Sequence, residues 1–173
     1  MLQKLKIRPF GKQVGVILPF GLTVILVLYS LTPSNFPGFS EITPMYSLVA
    51  VYFWTLYRPE QFGYILAFSI GMLEDVLTGM PIGITALTLL LAQWLVFNQQ
   101  MFFHGKSFII TWYAFFIVCA GAFFIKWFFI NFMQGSGFSG DGNILVSYLM
   151  TIAVYPVIAW LFSKIQMALV GST

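Results

Sequence analysis

Charge is what this chain has least of: 8 Lys and Arg, 5 Asp and Glu and 1 His in 173 residues, or 8% Asp, Glu, Lys and Arg, against about a quarter in a soluble domain. A water-facing surface is excluded on that count. Hydrophobic residues make up 60%, and the composition is that of a polytopic membrane protein with no length to spare for a separate soluble domain. A lone cysteine, Cys119, excludes an internal disulfide and, with 1 His, any zinc or redox cluster. No Gly-x-Ser-x-Gly, His-Glu-x-x-His or phosphate loop with its Lys is present. The chain is therefore expected to be no enzyme, to hold no cofactor or metal, and to bind no nucleic acid. Repeats, heptads and low-complexity tracts are absent as well.

What is present is apolar sequence in stretches. Hydropathy places six transmembrane spans near Val14–Leu31, Pro44–Tyr57, Phe62–Leu77, Ile82–Phe97, Ser107–Ile130 and Ile144–Phe162. The fold class is all-α, a polytopic membrane helix bundle forming one domain over 1–173: a basic N-terminus at 1–13, the bundle at 14–163 and a tail at 164–173. The second to fourth spans are short, so they lie nearly upright, extend into the interfaces or are partly re-entrant. Thr43 with Pro44 is expected to open the second span, Pro59 to stop it, Pro81 to open the fourth, and Pro156 to kink the sixth. The basic start resembles a signal peptide, but the apolar run is long and no Ala-x-Ala-like site follows, so a retained first helix is expected.

Lys and Arg set the orientation. Lys4, Lys6, Arg8, Lys12, Arg58, Lys106 and Lys164 all fall on one side of a six-span bundle, while the loops opposite carry only the acids Glu41 and Asp141. By the positive-inside rule both termini are expected in the cytoplasm. His104 lies in a short loop on that side, and Gln134–Gly142 reads as a flexible glycine-rich turn on the other.

Two acids remain inside the apolar sequence. Glu74 and Asp75 stand side by side at the end of the third span, and a central Asp costs about +2.5 to 3.5 kcal/mol on insertion scales. Adjacent helical residues point about 100° apart, so the pair cannot share one small site. Either they mark the outer interface, or one turns inward to bond the Thr78–Gly83 turn or a neighbouring helix. Lys126 in the fifth span lies at similar depth, to pair with an acid or to snorkel outward. Ala67 with Gly71, and Cys119–Ala122, form small-residue faces that serve bundle packing or the docking of a partner's helix.

The segment Phe62-Gly63 through Ile70-Gly-Met-Leu-Glu-Asp-Val-Leu-Thr-Gly-Met-Pro-Ile-Gly-Ile-Thr-Ala-Leu87, with Val51-Tyr-Phe-Trp-Thr-Leu-Tyr-Arg-Pro-Glu60 before it, resembles the MreD family of bacterial rod shape-determining membrane proteins. Asp75 matches the family's recurrent acid, and Gly71, Gly79, Pro81 and Gly83 match its turn; Glu74 stands where other residues are common. The resemblance implies a scaffold of the cell-elongation machinery in the bacterial cytoplasmic membrane. Its implied partners are MreC, RodA, a class B penicillin-binding protein and, indirectly, MreB, within the lipid bilayer. It also implies a fold similar to the S components of energy-coupling-factor vitamin transporters. Such an S component is the alternative function, although the first span lacks the Ala-x-x-x-Ala typical of those proteins.

Overall fold

In a computed structural model, residues 9–31, 43–103, 108–134 and 142–170 form six α-helices and no strand among the described residues: α1 Pro9–Ser30, α2 Tyr46–Tyr57, α3 Tyr64–Thr78, α4 Ile84–Phe103, α5 Phe108–Gln134 and α6 Gly142–Val170. Each expected span corresponds to one helix. Lys4, Lys6, Arg8, Glu41, His104, Lys106 and Asp141, and most of the glycine-rich turn, lie outside the described residues.

α2 is the axis of the fold. Its 12 residues reach about 18 Å, and Ser47 to Leu56 are all buried. Such all-round burial suits an apolar helix enclosed by others; α1, α3, α4 and α6 pack against it. Aromatic rings weld its lower half to α5 and α6. Phe115 and Tyr155 stack with centroids 4.3 Å apart, and Tyr52 sets its edge against each, at 5.0 and 5.6 Å. The Tyr52 hydroxyl donates to the Thr111 carbonyl at 2.9 Å, satisfying a polar tip that the apolar core would otherwise strand.

The helix borders differ in part from expectation. Thr43 and Pro44 precede α2 rather than opening it; Met45 is its N-terminal flank and has no side-chain cap. The Met45 N–H instead donates to Thr151 Oγ1 of α6 at 3.0 Å, so a tertiary partner replaces the local one. Pro59 does follow the stop: Arg58 leaves the helix at φ −145°, as a residue before proline prefers. Pro81 does not open α4, which begins at Ile84, because Gly83 intervenes with φ +103°. Pro156 sits inside α6, and so does Pro19 inside α1.

Polarity runs opposite to that of a soluble protein. Thr23, Ser47, Glu74, Asp75, Gln93 and Thr151 are buried, whereas Ile117 and Phe132 of α5 are 68% and 75% exposed and Val157 and Trp160 of α6 are 65% and 63% exposed. Exposing such side chains to water costs about 25 cal/mol per Å²; lipid removes that cost. Phe108–Met133 and Asn143–Met167 are long and apolar enough to cross a bilayer. At one end of the bundle, Ser30, Thr78 and Ile130 at the ends of α1, α3 and α5 meet Met45 and Asn143 at the starts of α2 and α6. At the opposite end, with its amide oxygen turned to the guanidinium, Gln166 accepts from Arg58 at 2.8 and 3.0 Å.

Candidate functional site

The candidate site is the knuckle between α3 and α4, and it is built from one face of α3. Ala67, Gly71 and Asp75 recur every four residues, so they form one stripe. Ala67 and Asp75 are fully buried. Gly71 is in contact with the α4 backbone: a Cβ placed there would lie 2.3 Å from Ala86 Cα and 2.6 Å from Ala86 N. The small-residue face is thus spent on internal packing, with no room for a partner's helix there. On α5, Cys119 and Ala122 are likewise buried.

That close approach brings Asp75 to the start of α4. Its carboxylate accepts from the Gly83 N–H at 2.7 Å and from the Thr85 N–H at 3.1 and 3.2 Å. Two of the donors that every helix leaves open at its N-terminus are so satisfied by an anion placed where the helix dipole favours negative charge. The Asp75 carbonyl works on the other side of the turn, accepting from the N–H groups of Gly79 and, at 3.1 Å, of Met80. One residue therefore closes α3 with its backbone and opens α4 with its side chain.

Glycine is required at two points of this turn. Gly79 ends α3 at φ +68°, ψ +18°, the left-handed region in which a Cβ is penalised. Gly83 has φ +103° and donates the shortest bond to Asp75. Pro81 lies between them, its carbonyl accepting from the Ile84 N–H at 3.4 Å. No atom lies within 4 Å of a Cβ built on Gly79, so strain at that position is purely conformational. Gly79→Ala is expected to cost about 1 kcal/mol, and Gly79→Asn less, since Asn tolerates this region; thermal melts of the detergent-solubilised protein check the order.

Glu74 points elsewhere, as the 100° step requires. It is buried, lines a cavity of about 250 Å³ at the end where α3 finishes, and shares that cavity with Lys126 of α5. Lys126 is near enough to act on it electrostatically, but no hydrogen bond joins the two, and Glu74 Oε2 has no hydrogen-bond partner. The Ser47 hydroxyl approaches the carboxyl without hydrogen-bond geometry.

Gln93 was not among the expected site residues, yet it is buried on α4 and its Nε2 donates to the Phe62 carbonyl at 2.9 Å. An amide alone in the apolar run Leu87–Phe97 is the signal that marks it. It fastens the chain entering α3 to α4, so the helix pair is held at both ends. No group of three or more His, Cys, Asp or Glu side chains comes together among the described residues. The Asp75 carboxylate, the Thr78 hydroxyl and the Gln93 Nε2 each hold backbone.

No curated protein and no solved structure matches the chain, and so none supports the likeness to transporter S components. The family described as rod shape-determining protein MreD matches residues 12–165, nearly the whole chain, with the Gly71–Gly83 knuckle inside the match. The chain belongs to the MreD family of rod shape-determining membrane proteins.

Proposed function

We propose that this rod shape-determining protein is a non-enzymatic scaffold of the cell-elongation machinery, a single domain that holds lateral peptidoglycan synthesis proteins together within the bacterial cytoplasmic membrane. MreC is its direct partner, RodA and a class B penicillin-binding protein join the same assembly, and MreB is reached indirectly. The observation that carries this reading, beside the family, is the use of Asp75: a buried acid whose carboxylate is taken up by the Gly83 and Thr85 N–H groups fixes a fold and is not available for proton transfer. A vitamin-transporter component finds no support in the comparisons.

Affinity purification of the tagged full chain from detergent-solubilised membranes is expected to recover MreC. Recovery of a transporter ATPase in its place would reverse the assignment.

In this reading all six helices belong to the membrane domain and both termini are cytoplasmic, as the sorting of Lys and Arg supports. Single cysteines at residues 35 and 138 are expected to react with an impermeant maleimide added outside, and one at residue 104 only after the membrane is breached. Labelling of residue 104 from outside contradicts this topology.

A further inference from the structure

The cavity that Glu74 and Lys126 share opens beside the α3–α4 turn, with Thr78 and Met80 in its wall, and is not explained by scaffolding. Its wall holds one acid and one base, with Ser30, Thr78, Asn143 and Ser147 as further polar groups. Glu74 is 7% exposed and its Oε2 lacks any hydrogen-bond partner, a state that costs a buried carboxylate several kcal/mol unless something completes it. Lys126 is half-buried and makes no hydrogen bond to that acid.

A second cavity adjoins the first. An apolar groove of about 400 Å³ runs between α5 and α6, lined by Phe124, Leu145 and Tyr148 among others, and shares Phe123, Trp127 and Ile144 with the polar pocket. The two meet at those three residues, a charged chamber beside a greasy cleft. Lys126 stands about 12 Å of helix before the end of α5 at Gln134, and its four-carbon stem lets the ammonium reach from there toward the headgroup level.

We propose that these adjoining cavities are together a binding site for a zwitterionic phospholipid with a primary-amine headgroup, phosphatidylethanolamine, with its ammonium on Glu74, its phosphodiester on Lys126 and an acyl chain in the α5–α6 groove. Charge complementarity selects this class. One acid and one base leave the chamber neutral, which suits a zwitterion and disfavours an anionic headgroup that would meet the Glu74 carboxylate unpaired. A primary ammonium donates three hydrogen bonds to a carboxylate such as Glu74; a quaternary choline has none to offer.

The test is native mass spectrometry of the full chain after exchange into an equimolar mixture of dioleoyl phosphatidylethanolamine, phosphatidylcholine and phosphatidylglycerol. One phosphatidylethanolamine is expected to stay bound with about tenfold preference over either competitor, the ratio that one charge-assisted hydrogen bond supplies. Glu74→Gln is expected to erase the preference for the amine, and Lys126→Met to weaken retention of all three lipids. Water-soluble glycerophosphoethanolamine, lacking acyl chains, is expected not to displace the lipid. Equal retention of the three lipids, preferred retention of phosphatidylglycerol, loss of all lipid, or displacement by the soluble headgroup each overturns the proposal. Should either variant fail to accumulate, the competition on the unmodified chain decides alone.

Discussion

Gly71→Leu is expected to remove the folded protein from the membrane. The α3 and α4 backbones touch at this residue, and the atoms a side chain would meet are Ala86 Cα at 2.3 Å and Ala86 N at 2.6 Å, neither of which can rotate away. Overpacking a core costs about 1–3 kcal/mol when side chains can give; here the helix itself must move. Any such shift also draws Asp75, one turn further along the same face, away from the Gly83 and Thr85 N–H groups. The two losses therefore combine. Gly71→Ala is expected to fall between wild type and Gly71→Leu, since even one methyl collides. Immunoblots of the membrane fraction with size-exclusion profiles of a fluorescent fusion measure the effect; a monodisperse Gly71→Leu peak at wild-type level contradicts it.

The second large effect is at Asp75. Asp75→Ala strips the acceptor from two backbone N–H groups, each costing about 1–3 kcal/mol when buried and unpaired, and deletes a charge at a helix N-terminus, about 0.3–1 kcal/mol more. Asp75→Asn keeps an oxygen that one of the two donors can still reach. Melting temperature in detergent is expected to fall in the order wild type, Asn, Ala, with hydrogen exchange at Gly83 and Thr85 accelerated most in Asp75→Ala. Equal losses for Asn and Ala would mean that charge, and not the pair of hydrogen bonds, carries the contribution. Asp75→Glu tests reach: one methylene more in a fully buried site beside a 2.7 Å bond is expected to cost more than Asn.

Much of this site is visible in the sequence because it is local. Gly79, Pro81 and Gly83 punctuate a short break between apolar runs, and the structure puts α3 and α4 on either side of it. A four-residue spacing aligns Ala67, Gly71 and Asp75 from residue numbers alone, and the helical step of about 100° parts Asp75 from Glu74. What sequence did not give is decided by contacts far along the chain. Met45 takes its cap from Thr151, 106 residues away, so Thr43 and Pro44, which have the right chemistry for a local cap, stay outside the helix. The placement of α2 at the centre, enclosed along its length, is likewise a tertiary fact: an apolar helix enclosed by protein and one facing lipid have the same composition. Gln93 is legible as well, a single amide in an apolar run, bound to a backbone carbonyl 31 residues away.

The role as a shape-determining scaffold is tested most directly by cell width. In a rod-shaped host depleted of its own copy, this chain expressed from a plasmid is expected to keep cells as rods. Gly71→Leu and Asp75→Ala are expected to leave them rounded and widening, as does the empty plasmid. Depleted cells that remain normal rods without any copy of the chain would contradict a scaffold function in cell elongation.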